Sequence, residues 1–165
     1  TLSARSRRLF TFSAIYQATN ALLANANDDS EVSLRTARAF WEEVAKQLPE
    51  WNQVRRGSLA SSEVRQDLIH SHGVVLQALG KAGAALLREA PKEWKTRLKA
   101  LSEIDWSRNS PTWAGRAVVG GRLSKATQNV TLTANYIKKS LGLELSPEDQ
   151  RVEDAFERGD HERNT

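Results

Sequence analysis

The chain has 165 residues, contains no cysteine and no methionine, and carries a formal net charge of +4. Its length is that of one domain, with room for a core that needs no disulfide or structural metal. The lack of cysteine excludes disulfides, thiolate metal sites and cysteine nucleophiles. No apolar run approaches the length of a membrane span and no signal peptide is recognisable, so we expect a cytoplasmic protein without membrane contact. Because even position 1 is not methionine, we expect a fragment of a longer protein.

The charge is unevenly distributed along the chain. Residues 1–60 carry eight Lys and Arg against six Asp and Glu, residues 61–142 thirteen against six, and residues 143–165 three against eight. A basic body with an acidic tail favours a polyanionic partner for the body. On charge alone, nucleic-acid binding and a domain with uneven surface charge are equally supported, because the basic density is below that of strongly basic nucleic-acid-binding domains.

Two helices are predicted in the first third of the chain. Helical spacing of apolar residues predicts the first over residues 3–25. A polar break, NANDDS at 25–30, supplies capping residues for a second helix over 31–47. We expect the buried side of this second helix to begin at Leu34, and we expect Pro49 to end the helix.

The longest predicted helix, about 61–89, organises the rest of the chain. Its apolar and small residues recur at helical steps at Val64, Leu68, Val75, Leu79, Ala82 and Leu86. A second stripe runs beside the first through Ile69, Leu76, Gly83 and Leu87. Two adjacent stripes cover more than half of the helix, so other helices must pack around it. The sequence therefore predicts an all-α fold, a bundle of about six helices around this central one.

The remaining elements follow from local signals. Pro91 favours a fourth helix at about 91–103, and two tryptophans predict an ordered loop at 105–115. A further helix starts at Ser124 or Thr127 and ends before Gly142, a C-cap glycine. Ser146 and Pro147 start a last, short helix at about 147–158. We find no convincing pair of strands, since 117–119 is too short for a sheet. We divide the chain into a helical domain, 1–145, and a short acidic helix with a frayed tail, 146–165.

Asp67, His70 and His72 are the residues most like a catalytic or metal-binding group. On a continuous helix Asp67 and His70 would share a face, whereas His70 and His72 would point about 200° apart. Neither a metal spacing nor a nucleophile–base arrangement is present. We therefore favour two half-buried histidines with local hydrogen bonds, and we expect no enzyme activity, no cofactor and no metal.

The most informative stretch is RAVVGGRLSKATQN, residues 116–129. Two glycines permit a tight turn, basic residues surround it, and a predicted helix with free N–H groups begins just after it. The hydroxyl and amide side chains suit phosphate oxygens or base edges. A Walker loop is excluded because the stretch lacks the Gly-x-x-x-x-Gly-Lys-Ser/Thr pattern. The predicted DNA-contacting residues are Arg116, Arg122, Ser124, Lys125, Thr127, Gln128 and Asn129. The basic face of Lys92, Lys95 and Lys99, in contrast, is interpreted as solvated surface.

Five segments resemble the carboxyl-terminal part of the DndB family: LFTFSAIYQAT (9–19), EVRQDLIHSHGVVLQALGKAG (63–83), LKALSEIDWSR (98–108), WAGRAVVGGRLSKATQNVTLTANYIKKSLGL (113–143) and SPEDQRVEDAF (146–156). The resemblance implies a regulator of bacterial DNA phosphorothioate modification clusters that binds the cluster's promoter DNA and represses it. The Asp-Gly-Gln-His-Arg signature of that family belongs to an amino-terminal portion and is missing here, in keeping with a fragment. The resemblance implies no catalytic residue in this chain.

Two functions follow as hypotheses. The first is the helical portion of a DNA-binding transcriptional repressor, with double-stranded promoter DNA as the partner. The alternative is a helical oligomerisation or docking module, in which the basic body meets the acidic tail of another copy and supports a DNA-binding part outside this chain. An enzyme built on Asp67 and His70 is the third and weakest interpretation.

Overall fold

The computed structural model describes residues 2–26 and 29–163, with side chains described for 2–26 and 29–159. Within these residues the chain forms eight α-helices and one two-stranded hairpin, which confirms the all-α prediction. The helices are α1 (Phe12–Leu22), α2 (Ser30–Gln47), α3 (Pro49–Arg55), α4 (Ser61–Asp67), α5 (Gly73–Glu89), α6 (Trp94–Leu98), α7 (Thr127–Ser140) and α8 (Pro147–Arg163). None of the helices in the described part is long and apolar enough to cross a bilayer.

Helix α5 is the centre of the packing. It lies between α1 and α7, its two main neighbours, and Phe40 of α2 reaches it at Gly83. Ten of its 17 residues are buried, among them Val75, Leu79 and Leu86. Both stripes seen in the sequence are used, because the helix has neighbours on more than one side.

The predicted central helix at 61–89 is wrong in one respect: it is broken between α4 and α5. Leu68 is extended (φ −119°, ψ 156°) and forms a β-bridge with Ser107. The Ile69 N–H donates to the Trp106 carbonyl at 2.9 Å, and the Arg108 N–H donates to the Asp67 carbonyl at 2.9 Å. The loop after α6 thus takes backbone groups that a continuous helix would use itself. The helix resumes at Gly73, so the central helix is α5 alone.

The loop predicted at 105–115 is ordered, as its tryptophans indicate. The Trp113 and Trp106 rings stack with centroids 5.4 Å apart. The Trp106 Nε1–H donates to the Leu101 carbonyl at 3.0 Å, and the Trp113 Nε1–H donates to the Asp105 carbonyl at 2.8 Å. Both indole N–H groups are therefore satisfied inside the fold, as buried tryptophans require. Instead of one helix at 91–103, α6 continues as a 3₁₀ helix over Lys99–Glu103, and a second 3₁₀ turn spans Pro111–Trp113.

A minimal hairpin follows that loop and corrects the expectation that 117–119 is too short for a sheet. Strand β1 (Val118–Val119) pairs antiparallel with β2 (Arg122–Leu123). The two residues between them, Gly120 and Gly121, have φ of +58° and +76°. Two successive left-handed residues are what a two-residue type I′ turn needs, and glycine adopts them without strain. The glycine pair therefore makes the tight turn that the sequence predicted.

The helix ends agree with the local signals where those signals were clear. Asp29 caps α2, its carboxylate accepting from the N–H groups of Glu31 and Val32 at 3.1 and 3.3 Å. Gly142, at φ +76°, ends α7. Its N–H donates to the Lys139 carbonyl, and the Leu143 N–H donates to the Lys138 carbonyl. This is a Schellman motif. Residues 27 and 28 of the predicted polar break, and residues 164–165 of the predicted frayed tail, lie outside the described residues.

Two further boundaries differ from the prediction. Helix α1 begins at Phe12, capped by the Thr11 hydroxyl, and not at residue 3. The segment before it is held irregular because the Arg65 guanidinium donates to the carbonyls of Ser3, Ser6 and Arg8. Leu34, expected on the buried side of α2, is 69% exposed, since burial on that helix starts only at Ala37.

Candidate nucleic-acid interface

The hairpin and the start of α7 present exposed cations beside an open helix end. Arg122 and Lys125 are exposed, and neither has a carboxylate within ion-pair distance among the described residues. Thr127 and Gln128 in the first turn of α7 are exposed as well. That turn holds no acidic residue, and its N-cap, Ala126, offers no side-chain hydrogen bond. The first N–H groups of α7 therefore have no intrahelical partner and attract negative charge.

Two of the predicted contact residues, Ser124 and Asn129, are engaged in holding the turn together. The Ser124 hydroxyl donates to the Asn129 side-chain oxygen at 2.9 Å and accepts from the Ala126 N–H at 3.3 Å. The Asn129 amide donates to the carbonyls of Gly115 and Arg116 at 3.2 and 2.7 Å. These bonds fix the hairpin against the start of α7, so the spacing of Arg122 and Lys125 is set by the fold.

Arg116 points into the protein, away from the other predicted cations. Its guanidinium donates to both carboxylate oxygens of Glu153 on α8, one of them at 3.1 Å, and to the Leu132 carbonyl at 2.8 Å. The rings of Tyr136 and Phe156 lie 5.7 and 4.6 Å from its central carbon. Its side chain is 11% exposed, and that of Glu153 is 1% exposed. The Arg116 guanidinium is engaged in an internal ion pair with Glu153, so Arg116 joins α8 to the body of the domain.

The carboxylate of Glu153 stays ionised despite its position. Burial raises the pKa of Glu153, but the hydrogen bonds and charge of Arg116, with the Asn135 amide, outweigh burial and lower the pKa below its ordinary value. A second pair joins the same elements, Lys138 to Asp149 at 2.9 Å. Two acids of the predicted acidic tail are therefore paired within the chain.

Two basic residues that the sequence did not single out, Arg65 and Arg108, lie with Lys125 around one cavity. Arg65 belongs to α4 and Arg108 to the loop that pairs with Leu68. They come together because the predicted central helix is broken. No sequence signal marks them, since their approach depends on contacts between residues about forty positions apart.

The structure does not bring Asp67 and His70 together. Asp67 is exposed at the end of α4, whereas His70 is fully buried in the break. The Trp51 Nε1–H donates to His70 Nδ1 at 3.1 Å, which leaves His70 Nε2–H to donate to the Glu50 carboxylate at 3.3 Å. His72 Nε2–H donates to the Arg65 carbonyl at 2.7 Å. Both histidines thus have local hydrogen bonds. Among the described residues no group of three or more His, Asp or Glu side chains is placed to hold a metal ion.

Both imidazoles are held neutral. Burial lowers the pKa of His70, and the charge and hydrogen bond of Glu50 only partly offset this effect. Burial also lowers the pKa of His72; its bond to the Arg65 carbonyl opposes the shift, and the charges of Arg108, Arg65 and Lys125 add to it. Since both pKa values are below those of the unfolded chain, the unfolded state binds more protons at mildly acidic pH.

We expect the free energy of unfolding to fall as the pH decreases from about 7.5 to about 5.5, through the range where unfolded histidine becomes protonated. The slope is at most about 1.4 kcal/mol per pH unit for each proton taken up on unfolding. The carboxyls with lowered pKa titrate below this range, so they do not contribute. Urea unfolding at several pH values measures this dependence. In a His70→Gln variant the unfolding free energy should change less steeply with pH. A flat profile in the unaltered chain would contradict the burial of both rings.

The structure defines a helical protein with an exposed cationic turn, and comparison with known proteins places it in a family. The family model DndB, described as DNA-sulfur modification-associated, matches residues 1–144. The chain therefore belongs to the DndB family, which confirms the resemblance seen in the sequence and associates it with DNA sulfur modification. Comparison with curated proteins and with solved structures gave no match. Helix α8, with the Glu153 partner of Arg116, lies beyond the matched residues.

Proposed function

We propose that this chain is the helical DNA-binding portion of a cytoplasmic transcriptional repressor that acts on the gene cluster of a DNA sulfur modification system. The observation that carries the proposal is the pair of exposed cations, Arg122 and Lys125, beside the uncapped amino end of α7. Membership of the DndB family supports double-stranded DNA, such as the promoter of the cluster, as the polyanion. In this role the chain binds and does not catalyse.

The contacts divide by chemistry. Arg122 and Lys125 would neutralise backbone phosphates, and the first N–H groups of α7 would add a further phosphate contact. Thr127 and Gln128 are exposed next to that end and would set the register or read base edges. Ser124 and Asn129 act indirectly, since their hydrogen bonds fix the turn. Arg116, paired with Glu153, is left out of the contact set.

Reversing both exposed charges, in an Arg122→Glu/Lys125→Glu variant, is expected to weaken binding to promoter and scrambled duplexes alike. Backbone contacts carry no sequence information, so the loss should be similar for the two duplexes. Each phosphate contact contributes about 0.9 to the slope of log affinity against log salt, so the slope should decrease by about two. Fluorescence anisotropy with labelled duplexes at several salt concentrations measures both quantities.

The matched control is Lys92→Glu/Lys99→Glu, which makes the same change in net charge at two lysines that flank α6. Both lysines are exposed, and neither has a carboxylate within ion-pair distance among the described residues. We expect this control to retain most of the affinity and the salt slope. Equal losses in the two variants would assign the effect to net charge, and unchanged binding by the first variant with its fold intact would remove the turn from the interface.

An oligomerisation or docking module is the second candidate, and one observation favours it. Phe12 and Tyr16 of α1 are 84% and 58% exposed, and their rings stack with centroids 6.2 Å apart. Exposed aromatic pairs are more typical of contact surfaces than of solvated helix faces. Sedimentation of the chain with and without residues 146–165 separates the candidates. A monomer that still binds duplex DNA supports the repressor, and a tail-dependent oligomer that does not bind DNA supports docking.

A further inference from the structure

We propose that the cavity at the amino-terminal end of α5 is a binding site for a phosphate group, carried by a small phosphate ester or by nucleic acid. The cavity has a volume of about 940 Å³. It is open to solvent on one side and is bounded by the segment before α1, by α4, by the break between α4 and α5, and by the end of the hairpin. None of its fourteen lining residues is an Asp or a Glu, while Arg65, Arg108 and Lys125 all reach it.

The three cations have no internal counter-charge. No carboxylate lies within ion-pair distance of any of them among the described residues. Arg65 donates to backbone carbonyls of the segment before α1, and Arg108 donates to the Arg65 carbonyl at 3.3 Å. These neutral acceptors hold the guanidinium groups in position but do not neutralise their positive charge. Three uncompensated cations around one cavity repel one another unless an anion lies between them.

The helix end adds to the positive potential. The Nζ of Lys125 is 3.3 Å, and its Cε 3.0 Å, from where a Cβ on Gly73 would be. Gly73 is the first residue of a 17-residue helix whose first turn holds no acid and whose N-cap, His72, makes no side-chain capping bond. A helix amino terminus favours anions and disfavours cations, so an ammonium group there is unfavourable in isolation. With a phosphate in the cavity, the helix end and the ammonium both become favourable contacts.

Unpartnered donors in the same place point independently to a ligand with acceptor oxygens. Ser71 lines the cavity, is 4% exposed, and its buried hydroxyl has no hydrogen-bond partner. The Nε–H of Arg108 is buried and unpartnered as well. Buried polar groups in folded proteins are nearly always hydrogen-bonded, so two orphaned donors at one cavity call for an acceptor. An oxyanion supplies several acceptor oxygens and is also the charge that the cations lack.

The shape of the cavity favours an organic phosphate. Its volume lies within the range of small-molecule sites, roughly 300–1,000 Å³, and is much larger than one phosphate requires. One part of the wall is apolar, formed by Leu2, Leu9 and Leu123. A phosphate ester with an organic group, such as a nucleotide, fits this combination. The site does not depend on the proposed DNA contact, although Lys125 belongs to both.

The experiment is a titration of the whole chain with inorganic phosphate and with adenosine 5′-monophosphate at constant ionic strength. Calorimetry measures affinity, and NMR of the His72 ring reports on the cavity itself. We expect saturable binding by both probes and a rise in the His72 pKa, since an anion offsets the charges of Arg65, Arg108 and Lys125. Lys125→Gln and Arg108→Gln should each weaken binding about tenfold or more, the loss of a hydrogen bond to a charged group.

Lys81→Gln, on the exposed side of α5, is the control and should bind as the unaltered chain does. Arg108 also donates to a backbone carbonyl, so Arg108→Gln could unfold the chain. In that case Lys125→Gln decides the result, because the Lys125 side chain is exposed. The site would be overturned if neither probe showed saturable binding, or if Lys125→Gln bound the probes as tightly as the unaltered chain does. Either result would count even if duplex DNA still binds. Titration of Arg108→Gln, a cavity residue outside the proposed DNA contacts, with nucleotide and with duplex identifies the source: a loss of affinity for both supports a nucleic-acid phosphate, and a loss for the nucleotide alone supports a free phosphate ester.

Discussion

A Glu153→Leu variant is expected to unfold with a free energy about 3–5 kcal/mol lower than that of the unaltered chain. The substitution leaves the Arg116 guanidinium nearly buried, between the rings of Tyr136 and Phe156, without its counter-charge. It also removes the acceptor that Asn135 shares at 3.4 Å. Breaking one side of a buried pair is costly because the remaining charge stays desolvated. Urea unfolding followed by tryptophan fluorescence measures the loss.

The partner variant and the double variant separate charge from packing. Arg116→Met alone should also be destabilising, whereas Arg116→Met/Glu153→Leu should recover most of the loss, since apolar groups of similar volume replace the whole pair. Glu157→Gln, an exposed acid on the same helix, is the control and should change stability by less than about 0.5 kcal/mol. Additive losses in the double variant would show that Arg116 and Glu153 are not energetically coupled.

The pair also has a pH signature distinct from that of the histidines. The folded pKa of Glu153 is lowered, so its contribution is present above the ordinary carboxyl range and is lost as the pH falls through the folded pKa. The histidine contribution is lost at a higher pH than the Glu153 contribution, as the pH falls below the ordinary histidine pKa. Acid unfolding should therefore show two phases of destabilisation, and only the lower one should become smaller in the double variant, since Glu43 and Asp105 still contribute to it.

The sequence predicted those parts of the fold that depend on local chemistry. A capping carboxylate at Asp29 and a C-cap glycine at Gly142 act through neighbours within a few residues, so their effect is visible in the sequence. The apolar periodicity of α5 is likewise a property of one segment. The break before Gly73 is not, because the partners of residues 67–69 are residues 106–108. Its apolar residues Leu68 and Ile69 fit a helical stripe and a buried bridge equally well.

The same limit applies to the candidate site. Arg116, Arg122 and Lys125 lie within ten residues of one another, and in the sequence they are equivalent cations around a glycine turn. What distinguishes Arg116 is a carboxylate 37 residues further along the chain, on a helix that the sequence separates from the helical domain as a short acidic element. Local sequence therefore located the turn, but the distribution of its charges between interior and surface was decided by tertiary contacts.

The second large effect is expected at Gly80, where α5 packs directly against the backbone of α1. A Cβ at this position would lie 2.2 Å from the Ala18 carbonyl oxygen and 3.3 Å from the Ala21 Cβ. The obstructing atom is backbone, so no side-chain rotation relieves the clash, and α1 must move away from the central helix. Gly80→Ala is therefore expected to lower the unfolding free energy by about 3 kcal/mol, despite the better helix propensity of alanine.

Gly159→Ala in α8 is the matched control, since nothing lies within 4 Å of where its Cβ would be. There the intrinsic preference of alanine acts alone and should stabilise the helix by up to about 1 kcal/mol. The same substitution thus has opposite signs at two helical glycines, because only Gly80 is a point of backbone contact. Thermal unfolding of the two variants under one set of conditions measures the difference. If Gly80→Ala also raised the melting temperature, α1 would not pack against α5 at this distance.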